Sequence, residues 1–144
     1  MASLIRRETD YAIRIVAYLA GRKGERVKIF DICDRLFLSK PIVIKIIQQL
    51  KRGDIVEAKT GKAGGVMLSA DPETLSIYDI MVAMDNQSSI NSCNDAEEKC
   101  ELQPLCRISR FLKELQGDVI RQFQAEKMSQ LVFLEKDLEK LHAK

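Results

Sequence analysis

The spacing of apolar and polar positions predicts four short helices and a hairpin in the first 84 residues. In residues 3–20, Ile5, Ala12, Ile13, Val16, Ala17, Leu19 and Ala20 fall at helical spacing, and polar residues take the other face. Gly21 and Gly24 end that pattern. Lys28 to Leu36 reads as a second helix, with Ile29, Ile32, Cys33 and Leu36 on one side. Ser39 is a good N-cap, and Pro41 suits the first turn of a third helix from Lys40 to about Arg52. Val43, Ile46, Ile47 and Leu50 form its buried stripe at i, i+3, i+4 and i+7. Ile55–Lys59 and Val66–Ser69 read as two strands around a flexible tip, Thr60-Gly61-Lys62-Ala63-Gly64-Gly65. Leu75 to Met84 is another short amphipathic helix.

The pattern then changes. Residues 85–104 are polar and aperiodic, as in a long surface loop. After Pro104 a helical stripe returns through Ile108, Phe111, Leu112, Leu115, Val119 and Phe123. Leu131, Leu134, Leu138 and Leu141 follow at 3-4-3 spacing, like a short coiled-coil seam. The expected fold is mainly α with a small β-hairpin wing: a winged helix-turn-helix at 1–84, a cysteine-bearing loop at 85–106, and a long dimerisation helix with a C-terminal helix at 107–144.

Charge sharpens this division. The 144 residues carry a net +2, but residues 1–70 hold 14 Lys and Arg against 7 Asp and Glu, whereas residues 71–144 hold 9 against 14. A basic half attracts polyanions, of which nucleic acid is the commonest in the cytoplasm. No apolar run approaches the roughly 18 residues of a membrane span. The charged N-terminus does not read as a secretory signal. A cytoplasmic protein without a membrane partner is therefore expected.

Helix, short helix, turn, capped helix and hairpin is the order of a winged helix-turn-helix. Its recognition helix enters the DNA major groove while the helix before it crosses the backbone. The third helix turns Lys40, Ile44, Lys45 and Gln48 outward, together with Gln49 and Lys51. Ser39 and the free N–H groups at the helix start suit a phosphate, and Pro41 beside them is a further candidate DNA contact. Lys28 lies at the start of the second helix, and the wing offers Lys59 and Lys62 beside Gly64 and Gly65. The expected partner is double-stranded DNA. No nucleophile–base pair or nucleotide-binding glycine motif is visible, so an enzyme is not expected.

Cys33 sits in an apolar stripe and reads as a small buried hydrophobe. Cys93, Cys100 and Cys106 are spaced C-x6-C-x5-C around the polar loop. An odd number of loop cysteines argues against disulfides, and zinc sites usually show tighter Cys pairs. The spacing leaves three readings: ligands of an iron–sulfur cluster, oxidant-sensing thiols, or unligated cysteines.

These segments together resemble the Rrf-type bacterial winged-helix transcription regulators. The resemblance is carried by Thr9-Asp10-Tyr11-Ala12-Ile13-Arg14, by Ser39 to Val56, by Gly61-Lys62-Ala63-Gly64-Gly65-Val66, by Leu75 to Ala83, and by the three loop cysteines. It covers nearly the whole chain. It implies a homodimer on a near-palindromic operator, with the long helix pairing to its mate. It also implies a 2Fe–2S or 4Fe–4S cluster on Cys93, Cys100 and Cys106, whose state tunes the affinity of a repressor. In one branch of the family a His follows the third cysteine, but here Arg107-Ile108-Ser109 stands there. The only His, His142, reads as a solvated tail residue. In the nitric-oxide-sensing branch an acidic residue of the partner's first helix completes the site; Asp10 matches that position, with Glu8 as the alternative. A carboxylate is a hard, exchangeable ligand, so such a cluster is expected to be labile and lost on isolation.

Three further departures stand out. The first cysteine spacing is one residue longer than usual. Ile44-Lys45 replaces a common Glu-Gln pair, which predicts a different operator. The wing lacks the usual Pro and third glycine. Two rival readings remain: a cluster-free regulator of the same fold sensing through thiols or a protein partner, and a small iron–sulfur electron-transfer or scaffold protein.

Overall fold

The structure, a computed structural model, describes residues 3–87, 89–94 and 100–143. Residues 88 and 95–99 of the expected 85–106 loop lie outside them. Six helices and one hairpin follow the expected order: α1 (Arg7–Ala20), α2 (Ile29–Leu36), α3 (Lys40–Arg52), β1 (Val56–Lys59), β2 (Gly65–Leu68), α4 (Ile77–Ala83), α5 (Arg107–Ala125) and α6 (Glu135–His142). The architecture is mainly α with a hairpin wing. Among the described residues no helix is long and apolar enough to cross a membrane.

Helix α3 has the expected bounds and buries Val43, Ile46, Ile47 and Leu50. They meet Ile15, Val16 and Leu19 of α1, and Ile32 of α2, in one apolar core. Ser39 holds the N-cap position in extended geometry, but its hydroxyl makes no capping hydrogen bond. The strands are antiparallel and pair Val56 with Leu68, Glu57 with Met67, Ala58 with Val66 and Lys59 with Gly65. A two-stranded hairpin is marginal alone. Here Val27 anchors it, donating to the Val66 carbonyl at 2.8 Å and accepting from the Val66 N–H at 2.7 Å. Helix α4 starts two residues later than its apolar pattern, because Ser76 and Asp79 close a reciprocal capping box.

Two expectations fail at the ends of the chain. Helix α1 begins at Arg7 rather than residue 3. The preceding arm is tied instead to Asn86, a buried side chain 80 residues away. Its Oδ1 accepts from the Arg6 N–H at 2.8 Å, and its Nδ2 donates to the Leu4 carbonyl at 3.2 Å. The coiled-coil seam does not form either. Met128–Gln130 makes a single 3-10 turn, and the Met128 N–H bonds the Leu75 carbonyl at 2.9 Å. Helix α6 then lies back on the N-terminal core, with Leu138 only 5% exposed within it. Leu138 meets the chain's own core, while Leu134 and Leu141 stay exposed. Helix α5 keeps its stripe largely open: Ile108 is 71% exposed, Phe111 is exposed beside it, and Ser109 is its only buried residue.

Candidate nucleic-acid interface and cysteine loop

The α2–α3 turn works because Phe37 takes a left-handed conformation (φ 55°), with its N–H bonded to the Cys33 carbonyl. That turn leads into α3 and leaves the helix start facing solvent. Between α3 and the wing runs a cleft of about 700 Å³. Its lining includes Lys28, Lys40, Ile44, Gln48, Lys59, Gly64 and Gly65, so seven of the expected DNA-facing residues meet on one surface. Lys51 adds a further cation, and no acidic residue is among the lining residues. Such a cationic cleft concentrates a polyanion.

Four expected contacts lie outside this cleft. Ser39 and Pro41 are exposed at the start of α3. Lys62 is exposed at the wing tip, where its carbonyl accepts from Lys28 Nζ at 2.5 Å. Lys45 Nζ is 2.9 Å from Glu8 Oε1, so an α1 carboxylate pairs with the recognition helix. Phe30 was not anticipated: it lines the cleft and is 76% exposed. Its sequence signal is that it lies off the Ile29–Ile32–Leu36 stripe of α2.

Cys33 lines the cleft as a half-buried thiol, and burial pushes its pKa up, against weaker lowering by its own backbone hydrogen bond and by Lys40. It is a poor thiolate, consistent with a packing role.

Of the three loop cysteines, one stands at the start of α5 and the other two are joined through Gln103. Cys106 is the N-cap of α5, and its Sγ accepts from the Ser109 N–H at 3.4 Å. Gln103 ties the other two together: its Nε2 donates to the Cys93 carbonyl at 3.1 Å, and its N–H to the Cys100 carbonyl at 3.1 Å. All three thiols are half-buried and free. The donor set suits iron–sulfur chemistry: three soft ligands, one of them at the positive end of a 19-residue helix. The thiols do not converge, however: among the described residues, no three His, Cys, Asp or Glu side chains stand close enough to hold a metal ion. Asp10 is ion-paired with Arg14 of its own helix at 2.6 Å.

His142 is not a solvated tail residue. Its Nε2 is 2.9 Å from the Asp34 carbonyl, and its ring packs on Phe37 with centroids 4.8 Å apart. The N-terminal arm and the loop meet at Asn86. Replacing Asn86 with Ala removes its two bonds to the arm, leaving those of the Arg6 guanidinium to the Met84 and Asp85 carbonyls, and should destabilise the protein by about 1–3 kcal/mol. Urea unfolding checks this; an unchanged midpoint would show that the Asn86 bonds contribute nothing.

A family model described as "Rrf2: Iron-dependent Transcriptional regulator" matches residues 5–133. The chain is 32% identical over 108 residues to the HTH-type transcriptional regulator NsrR of Bacillus subtilis, covering 74% of each protein. Its fold is similar to that of CymR, the global cysteine regulator of B. subtilis, with a TM-score of 0.65 at 20% identity over 91% of this chain and 96% of that one. It is also similar to IscR of T. potens, with a TM-score of 0.68 at 18% identity over 95% and 89%.

Proposed function

The chain belongs to the Rrf2 family of transcriptional regulators, and on that premise we propose that it is a homodimeric repressor whose grip on its operator is set by an iron–sulfur cluster. The observation that carries the DNA-reading part is the acid-free cleft between α3 and the wing, rimmed by Lys28, Lys40, Lys51 and Lys59. In this reading Lys40 and Gln48 address base edges from the exposed side of α3, and Ile44 offers an apolar contact to a thymine methyl. Lys28, Lys59 and Lys62 hold phosphates, and Ser39 and Pro41 place the α3 N-terminus against the backbone. The open apolar stripe of α5 is the surface on which two copies would pair.

Cys93, Cys100 and Cys106 would hold the cluster, with Asp10 of a second copy, or Glu8, as the fourth ligand. When bound, the group supplies a centre that reacts with oxidants and nitric oxide. The chain's own residues provide the route to the reading head. Asn86, at the root of the loop, holds the arm that leads into α1, and Glu8 of α1 holds Lys45 of α3. The cluster-free alternative draws on the separation of the three thiols in the protomer. Iron and sulfide analysis of anaerobically prepared protein separates the two.

DNA reading is tested with an operator selected from a random duplex pool. Gln48→Ala should weaken operator binding by about 1–3 kcal/mol, roughly 5- to 150-fold, and relax preference at one base pair. Lys59→Ala should weaken all duplexes alike and reduce the salt slope by about 1. Binding that ignores salt in the parent protein would rule out the reading.

A further inference from the structure

We infer that α6 is a positioning clamp for the reading head, acting through Glu135 at one end and His142 at the other; the inference rests on the DNA-reading role of α3. Glu135 bridges two arginines from different elements. It pairs with Arg22, just after α1, and its other oxygen lies 3.2 Å from Arg35 of α2. Seven residues on, His142 Nε2 donates to the Asp34 carbonyl at 2.9 Å, and the ring covers Phe37. The Asp34 carbonyl belongs to the last turn of α2, where no intrahelical N–H is available to it. Because the acceptor is a carbonyl, Nε2 carries the proton; Nδ1 is buried and has no partner among the described residues. The Asp34 carboxylate stands 3.8 Å away.

These contacts fall on the segment that aims α3. Helix α2 has eight residues, too few to hold its own conformation without packing. Its inner face is fixed by Ile32 and Leu36. Its outer end, and the left-handed turn at Phe37, are held by α6. Leu138, sunk in the core between the two contacts, seats the clamp. The approach of this segment to α1 is close: the Phe133 N–H bonds the Ala17 carbonyl, and a Cβ on Gly21 would stand 2.9 Å from the Phe133 carbonyl oxygen. None of these residues faces the DNA cleft, so α6 would act on DNA only through the pose of α2 and the turn.

The test uses the full chain with His142→Ala, His142→Gln and Glu135→Ala. His142→Ala and Glu135→Ala should each weaken selected-operator binding about fivefold, leaving random-duplex affinity and the salt slope unchanged. His142→Gln, which restores an N–H donor, should recover most of the affinity. Amide exchange gives a readout without DNA: the α2 C-terminal turn and residues 37–39 should exchange faster in His142→Ala, and α5 should not. Unchanged exchange there overturns the clamp. An equal loss on operator and random duplex also overturns it, since that marks general destabilisation. If the parent binds no duplex at all, the DNA-reading function fails, and the exchange result still decides whether α6 holds α2.

Discussion

Replacing Cys100 with alanine should abolish the visible absorption of anaerobically prepared protein, together with its bound iron and sulfide. Cys100 is one of the three loop cysteines; its carbonyl and that of Cys93 are held by Gln103, and Cys106 caps the long helix. A cluster held by these thiols has no spare soft ligand, because the remaining thiol, Cys33, lines the cleft between α3 and the wing and is pushed toward its neutral form by burial. Cys33→Ser should therefore leave the spectrum unchanged. Asp10→Ala keeps all three thiols, so it should leave a coloured protein that bleaches faster in air or nitric oxide. Far-UV circular dichroism of Cys100→Ala should match the parent, since Cys100 is no part of the apolar core. Colour that persists unchanged in Cys100→Ala would show that the ligands lie elsewhere.

The reading head was legible in the sequence because its signals are local. In α3, the stripe of Val43, Ile46, Ile47 and Leu50, the Ser39–Pro41 start and the Gly53 stop all lie within one window, and its predicted bounds are the observed ones. The start of α1 was not legible, because Asn86, which draws the arm out of helical geometry, lies 80 residues away. The C-terminal leucines gave a helix but not its partner. A 3-4-3 spacing marks an apolar face, and nothing in that spacing distinguishes a second helix from the chain's own core, where Leu138 in fact sits. The same limit hid His142, whose partners on α2 and the turn are more than 100 residues earlier. The cysteine spacing placed the thiols on one loop, but whether they converge depends on contacts that spacing does not encode, and among the described residues they stand apart.

Gly64→Ala should lower operator affinity at least tenfold and reduce the salt slope by about 2, with little loss of thermal stability. The cause is room for the backbone. A Cβ on Gly64 would stand 2.3 Å from the Lys59 carbonyl oxygen and 2.7 Å from the Thr60 carbonyl carbon. Neither atom is the end of a flexible side chain, so the turn itself must open. Opening it moves Lys59 off the rim of the cleft, and Lys62 with it, at the loss of the bond that the Lys62 carbonyl accepts from Lys28 Nζ. Two phosphate contacts are then lost together, which accounts for the change in slope. The base of the wing should survive, since Val66 is buried and bonded to Val27 on the far side of the pairing. Gly61 is the control. It has a left-handed φ of +93°, but nothing lies within 4 Å of a Cβ placed there. Gly61→Ala therefore meets backbone strain alone, of order 1 kcal/mol, which the exposed tip can relax without moving Lys59. A Gly64→Ala protein that binds operator within twofold of the parent, with an unchanged salt slope, would show that the wing lysines do not touch DNA. Affinity would then have to come from α3 and the start of α2 alone.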